Sequence, residues 1–537
     1  METKSRVGKS IKNTGFGLIG MAISLIVQFI SRTFFIRLLG AEYNGINGLF
    51  SNILQVLNLA ELGFAYSVAY ALYAPLQSEN REKICAIMNF LRRVYNVITI
   101  VVLTLGLICL PLLQFLIKDD ISTLAFSIEE IRGFFAVYLL NTALSYVFSY
   151  KRTIITADQK SYLVSNVDNF GNVILYCVQI VALLVWRNYY LYLALMSAKT
   201  ILSNVIITVI ANRKYPYLKQ NTRTTLDKSE RRAILKNVGA MFFHRIGGVT
   251  IYSTTTIIIS AFVGIMDTNK YVNYILIVNA VRTMVDLVFS ALTASVGNLC
   301  ETAEKEYQYR VFRRVSYFSS FCSVFACVCL FGLLNSFIPI WVGEDMVFDI
   351  PVVAVISLSA MLAIYRLAVS TFKNAKGLFK EDCFKPLIEA ALGIALAIGL
   401  SYVWGTMGVI LGYTLASLLV ALPVETFVLF KKGFGIGGQK LVLQFVRLLG
   451  CFALSVAGGA LSFYVCSLLG SGLMWFVVKA IICMAISTII FVAFTFKMDA
   501  FRYYVSLAGR LLGKIFKRKS QENPEQKVET EPEQKTE

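Results

Sequence analysis

Leu473-Met-Trp-Phe-Val-Val-Lys-Ala-Ile-Ile-Cys-Met-Ala-Ile-Ser-Thr-Ile-Ile-Phe-Val-Ala-Phe-Thr-Phe496 is a run of 24 residues in which Lys479 is the one charged side chain. A helix rises about 1.5 Å per residue, so this run can cross a hydrocarbon core roughly 30 Å thick. Comparable runs fall at 14–38, 46–72, 95–117, 130–150, 162–186, 190–211, 238–262, 271–297, 316–340, 350–372, 386–404, 408–430 and 448–467. With 473–496 they make fourteen. The composition agrees: 537 residues, 57% hydrophobic and 15% charged, with a mean hydropathy of +0.67. A soluble domain carries about 25% charged residues. The predicted fold is an all-α polytopic membrane protein of about fourteen transmembrane helices, with no room for a sizeable extramembrane domain. The start, Met1 to Asn13, is basic, and the first apolar run reads as a retained helix rather than a cleaved signal peptide.

The net charge of +19 does not point to nucleic acid, because the Lys and Arg sit in short connections between apolar runs. Connections on the N-terminal side of the fourteen helices hold 38 of them, and those on the other side hold 4. The positive-inside rule then places both termini in the cytoplasm. The longest connection, 212–237, follows the sixth helix. It divides the chain into a six-helix bundle over 1–211, a second over 238–430, and two appended helices over 431–497. Phe501, Tyr504, Val505, Ala508, Leu512, Ile515 and Phe516 recur at helical spacing, with Arg502, Arg510, Lys514, Lys517 and Arg518 among them. The segment 498–519 therefore reads as an amphipathic helix on an anionic leaflet. The Glu-, Gln- and Pro-rich 520–537 reads as a disordered tail.

Several chemistries are excluded by counts. His244 is the one histidine, so multi-His metal sites are ruled out and a Ser/His/Asp triad has a single candidate base. The eleven cysteines lie mostly inside apolar runs without a CxxC pair, and read as small packing residues. Gly433-Phe-Gly-Ile-Gly-Gly438 joins helices and is not a strand-to-helix phosphate cradle. No metal or cofactor is expected.

A repeat is visible between the halves. Asn58-Leu-Ala-Glu-Leu-Gly-Phe64 and Thr283-Met-Val-Asp-Leu-Val-Phe289 align at an offset of 225, so that Glu61 and Asp286 coincide. Upstream, helix 1 ends at Gly40 and helix 7 at Gly264. Both halves begin with an outward-going helix, so the repeat is parallel, with its axis along the membrane normal.

Ionisable groups within spanning segments cost several kcal/mol unless paired or wetted. Here they are Arg32, Arg37, Glu61, Asp168, Lys199, His244, Arg245, Arg282, Asp286, Arg366, Glu389, Glu425 and Lys479. Arg37 lies near a helix end and can snorkel. Arg366 and Glu425 are within a few turns of the cytoplasmic surface, and Asp168 and Glu389 start their helices. Arg32, Glu61, Arg245, Arg282 and Asp286 read as deeper, on helices 1, 2, 7 and 8. Arg282 and Asp286 are spaced to pair on one helix face. These charges either neutralise one another or line a wet cavity between the bundles. For the cavity, Arg32, Arg37, Arg245 and Arg282 exceed Glu61 and Asp286 by two positive charges. Guanidinium forks hold phosphate and stay charged when desolvated, so the natural cargo is an anionic head group. Glu61 and Asp286 are the candidates for a coupling proton or sodium ion. Asn47, Asn52, Asn58, Asn273 and Asn279 either bond sugar hydroxyls or pack between helices.

The six-six-two plan and the loop after helix 6 resemble the Wzx-type polysaccharide flippases, the oligosaccharide-lipid branch of the MATE-like MOP superfamily. The segments that carry the resemblance are Phe35-Ile-Arg-Leu-Leu-Gly-Ala-Glu-Tyr-Asn-Gly-Ile-Asn-Gly-Leu-Phe50, Leu59-Ala-Glu-Leu-Gly63, Ala157-Asp-Gln-Lys-Ser-Tyr162, and Ala375-Lys-Gly-Leu-Phe-Lys-Glu-Asp382 with Pro386 and Glu389. The resemblance spans roughly residues 10–500. It implies a bacterial plasma-membrane transporter moving undecaprenyl-diphosphate-linked oligosaccharide between leaflets for capsule, exopolysaccharide or O-antigen assembly. It also implies a V-shaped, two-lobed fold with a cationic cavity, and partners among polymerase and chain-length machinery. Alternatives are a multidrug exporter or peptidoglycan lipid-precursor flippase of the same superfamily, or a membrane-embedded polymerase or ligase. An exporter of cationic drugs wants an anionic cavity, against the arginine excess. A polymerase or ligase wants an outside catalytic loop, and the longest outside connection, about 117–130, is too short for one.

Overall fold

The computed structural model describes residues 23–24, 26–61, 64–147, 149–158, 160–220, 224–378, 381–507 and 509–510, without the side chains of 60, 65–66, 121, 219–220, 237, 239–252 and 294. Every regular element among them is helical. The first half holds α1 (26–39), α2 (Ala41–Leu57), α3 (Phe64–Gln77), α4 (Arg81–Leu112), α5 (Ile128–Val147), α6 (Tyr150–Ala157), α7 (Ser161–Trp186) and α8 (Tyr189–Lys214). A short α9 (Tyr217–Gln220) lies in the connection. The second half holds α10 (Lys228–Phe262), α11 (Ile265–Thr302), α12 (Lys305–Val342), α13 (Ile350–Tyr365), α14 (Leu367–Ala375), α15 (Lys385–Ala416) and α16 (Leu422–Val428). The chain closes with α17 (Gln439–Ser467), α18 (Leu473–Thr495) and a helical stretch over 499–507.

Local signals account for many boundaries. Asn80 and Asn188 cap α4 and α8, their side chains accepting from the amides of Lys83 and Leu191 at 3.0 and 3.1 Å. Pro351 and Pro386 fall in the first turns of α13 and α15, where the missing amide hydrogen costs nothing.

Nine helices among the described residues are long and apolar enough to cross a membrane, and the pair α5–α6, bent by 47°, makes a tenth. The difference from the fourteen runs has identifiable causes. The predicted second span is broken by a 3-10 turn over Asn58–Glu61 into α2 and α3. The predicted eleventh and twelfth spans lie in one helical run, Lys385–Phe434, which doubles back at Trp404 and Gly405. Gly405 takes a φ of 53°, which favours glycine, and a side chain on Gly412 would meet the Ala397 backbone at 2.4 Å. The beginning of the first predicted span lies outside the described residues, as do 508, 511–519 and all of 520–537; the described part of the predicted 498–519 helix is helical over 499–507.

The long α12 is the spine of the second half. It packs on α13 on one side and on α17 and α18 on the other. Small residues let α17 approach: a Cβ on Gly458 would lie 2.9 Å from Val328. In the first half α4 packs on α5, and α8 packs on both α5 and α7. The two halves meet where α2 packs on α10 and α11.

Candidate functional site

The seam between the halves is tight at the end of the bundle that carries few Lys and Arg. Gly45 and Gly48 of α2 sit directly on Ile265 and Val272 of α11, where a Cβ would lie 2.5 and 2.6 Å from the nearest atoms. That close approach brings amides together. Asn44 Nδ2 donates to Asn269 Oδ1 at 2.5 Å and to Asn273 Oδ1 at 3.1 Å. Buried amides in a bilayer interior must find partners within the protein. Further bonds cross the same seam. The Ile265 amide donates to Asp119 at 2.6 Å, Ser260 Oγ to the Leu116 carbonyl at 2.7 Å, and Trp341 Nε1 to Thr33 at 2.8 Å.

Arg32 reaches this seam from α1. Its Nε donates to Asn273 Oδ1 at 3.4 Å. Eight residues separate it from Gly40, which places it about 12 Å from the helix end. Tyr138, Tyr176, Tyr189 and Tyr192 surround it. Among the described residues no carboxylate lies within ion-pair distance of it. Tyr138 and Tyr189 also donate to Asn47 Oδ1, which sets Asn47 and the two phenols together beside Arg32. Arg37 is exposed near the end of α1. The side chains of Arg245 and His244 lie outside the described residues, although their backbone belongs to α10.

Arg282 and Asp286 do pair, at 3.6 Å between Nε and Oδ2, with 28% and 43% of the side chains exposed. They lie some 25 and 31 Å along α11 from its start, close to the far boundary of a 30 Å core rather than at its middle. Arg282 is also about 13 Å further along α11 than Asn273, which holds Arg32. Arg32 and Arg282 are therefore separated along α11 and not gathered at one point. Arg282 additionally lines a cavity of about 80 Å³ with Thr255, Tyr271, Asn279, Ser359 and Tyr413.

Glu61 ends the 3-10 turn between α2 and α3 and faces the first half. Tyr95 of α4 donates to its Oε1 at 2.8 Å, and the Tyr146 hydroxyl of α5 also bonds it. Glu61 and Asp286 coincide in the repeat, yet one is held by phenols and the other by a guanidinium.

No protein-family model matches the sequence, and no curated protein sequence matches it. Solved structures do match. The lipid II flippase MurJ in an inward closed conformation superposes with a TM-score of 0.65 at 14% identity, over 89% of this chain and 98% of that one. A multidrug resistance MATE family transporter of the MOP superfamily, inward-facing, gives 0.58 at 13%, over 77% and 98%. A Vibrio cholerae MATE transporter gives 0.51 at 12%, over 80% and 98%. This chain shares the fold of these transporter structures.

Several of the other charges predicted to lie in spans are paired in corresponding places of the two halves. In the first half Arg152 of α6 holds Asp168 of α7 at 2.6 and 3.1 Å and also bonds Asn204. In the second half Arg366, between α13 and α14, bonds Glu389 of α15 at 3.3 Å and Glu425 of α16 at 3.1 Å. Lys385 also pairs with Glu425, and Lys373 with Asp382. Three cations thus meet three anions, largely out of solvent. The sequence reading missed Asn44, Asn269 and the tyrosines around Arg32. A signal for the amide pair was present, because Asn44 and Asn269 share the 225-residue offset of the repeat.

Proposed function

We propose that this protein is a membrane transporter that moves a polyprenyl-diphosphate-linked oligosaccharide across the bacterial plasma membrane, with its cation-rich end and both termini in the cytoplasm. The observation that carries the reading is Arg32. It lies about 12 Å inside the bundle, at the meeting of the halves, with tyrosines and amides but no described carboxylate as partners. A desolvated guanidinium without a counter-ion is costly, and a phosphate-bearing head group supplies the missing charge through forked hydrogen bonds. The tyrosines and Asn47 offer bonds to sugar hydroxyls. The lipid tail stays in the membrane.

In this reading the bundle is closed at the outer end and accepts cargo from the cytoplasmic side. The cycle opens the α2–α11 seam and closes the opposite end, with the six-helix bundles 1–211 and 238–430 moving as bodies. Arg282 meets the head group at the inner boundary before Arg32 does. Glu61 is the favoured coupling group, because its phenol partners leave it able to exchange a proton or bind a cation, whereas Asp286 already answers Arg282. The absence of a described acidic partner at Arg32 argues against cationic drugs as cargo. The test is surface polysaccharide in cells whose chromosomal copy carries Arg32→Ala, with membrane protein level measured alongside. Loss of polysaccharide at normal protein level supports the proposal. Normal polysaccharide production by this variant removes Arg32 from the mechanism, and drug sensitivity without a polysaccharide defect overturns the assignment.

A further inference from the structure

A cavity of about 890 Å³, remote from the α2–α11 seam, opens among α12, α17 and α18 at the cation-rich end. Ligand sites typically measure about 300–1,000 Å³. Five cations line it: Arg310, Arg313, Arg314, Arg447 and Lys497; Asp499 is its one acidic lining residue. Among the described residues none of the five has a carboxylate within ion-pair distance. The walls below them are apolar, built by Leu454, Phe491 and Phe494. From Arg447 to Leu454 the wall descends about 10 Å along α17, and from Arg310 to Ser320 about 15 Å along α12. The cavity therefore begins at head-group level and continues down beside the acyl chains.

Its rim is fixed rather than loose. Arg314 lies 3.9 Å over the Tyr503 ring, Tyr504 donates to the Arg314 carbonyl at 3.2 Å, and Tyr317 bonds Thr495 at 2.9 Å. The 499–507 helix is thereby fastened to α12 at the mouth. Cations around an opening with an apolar shaft beneath match one chemistry, a phosphodiester head carrying acyl chains. A soluble anion has no use for the shaft, and a neutral lipid has none for the arginines.

We propose that this cavity is a binding site for one anionic glycerophospholipid of the adjacent leaflet, its phosphate held by Arg313 and Arg447 and one acyl chain lying along Leu454 and Phe491. The site is separate from the transport path proposed above and stands or falls independently of it. By filling the junction of α12 with α17 and α18, the lipid would fix the two appended helices to the second half.

Native mass spectrometry of the full chain, released from nanodiscs of defined composition, tests this. From equimolar phosphatidylglycerol and phosphatidylcholine the wild type is expected to retain one phosphatidylglycerol at least fivefold more often than phosphatidylcholine. This comparison needs no variant. Arg313→Gln with Arg447→Gln is expected to lower that retention at least fivefold, while Arg502→Gln, outside the cavity, leaves it unchanged. Equal retention of the two lipids, or undiminished retention by a double variant that elutes as a single folded species, overturns the proposal. So does displacement by millimolar inorganic phosphate, which would make this a site for the free anion. Preferential retention of undecaprenyl phosphate over phosphatidylglycerol at equal mole fraction also overturns it, assigning the cavity to the carrier lipid instead.

Discussion

Asn44 and Asn269 are 225 residues apart and joined by a hydrogen bond of 2.5 Å. The same offset separates Glu61 from Asp286, so the two asparagines are equivalent positions of the repeat meeting across its axis. A contact between equivalent residues belongs to the axis itself, and α2 and α11 can touch there because Gly45 and Gly48 remove the intervening side chains. If transport opens this seam, then tying it shut stops the cycle. Asn44→Cys with Asn269→Cys, in a background with the native cysteines replaced by alanine, is expected to form a crosslink across the halves. After cleavage at a protease site placed in the 212–237 connection, the halves should stay together until reductant is added. Transport should be lost when crosslinked and restored on reduction. Full transport in the crosslinked state would mean the seam does not open.

Arg32 and Arg37 are one and a half turns apart on α1 but differ in surroundings. The first lies among tyrosines at the seam, and the second is exposed near the helix end. Arg32→Ala is expected to cut surface polysaccharide at least tenfold, and Arg32→Lys to restore only part of it, since an ammonium lacks the planar fork. Arg37→Ala should retain more than half. A quantitative polysaccharide assay normalised to membrane protein level checks all three, and equal loss at both positions would contradict the distinction.

The apolar runs and the polytopic class are legible in the sequence because hydrophobic length is a local property. The positions of the charges are not. Lys373 and Lys385 count as loop cations in the sequence, yet both fold back into the protein, Lys373 against Asp382 and Lys385 against Glu425. The turn at Trp404 and Gly405 is legible only as a short gap between two apolar runs, without the left-handed backbone of Gly405 that reverses the chain there. Arg32 and Arg282 both read as deep cavity residues in the sequence, but about 13 Å along α11 separates Arg282 from Asn273, which holds Arg32. Glu61 and Asp286 align in sequence, and only long-range packing hands one to Tyr95 and the other to Arg282.

The Arg366, Lys373, Lys385, Asp382, Glu389 and Glu425 cluster is expected to govern stability. Glu425 and Lys385 have only 5% and 7% of their side chains exposed. Removing one member of a buried pair leaves its partner uncompensated, typically at about 3–5 kcal/mol. Glu425→Ala should therefore lower the thermal unfolding midpoint in detergent and reduce membrane yield, whereas Arg37→Ala should do neither. An unchanged midpoint for Glu425→Ala would show that water reaches the cluster.

Outside the spans, Asp158 closes the turn after α6. Burial pushes its carboxyl up, but hydrogen bonds from Lys160 and Tyr215 and the nearby ammonium charges outweigh that and hold it below the usual carboxylate value of 3.8. A carboxyl depressed in the folded state contributes stability above its unfolded pKa and loses it as pH falls through the folded value. Asp158→Asn should therefore lower the unfolding midpoint at pH 7, with the gap to wild type narrowing below about pH 4 and closing further down. A difference that persists unchanged at pH 2.5 would assign the effect to shape rather than charge.

Glu61 is the residue on which coupling depends in the proposed cycle. Its bonds from Tyr95 and Tyr146 come from α4 and α5, while its backbone sits in the 3-10 break between α2 and α3. A change in its charge is therefore felt where α2 bends, and α2 carries the seam with α11. Glu61→Gln keeps the shape and removes the titration. In proteoliposomes carrying a lipid-linked oligosaccharide, wild-type flipping should accelerate under an imposed proton or sodium gradient. Glu61→Gln should flip at a rate independent of either gradient, and Tyr95→Phe should respond more weakly than wild type. Asp286→Asn should still respond. A gradient response that survives Glu61→Gln and disappears in Asp286→Asn would move the coupling site to the second half of the repeat.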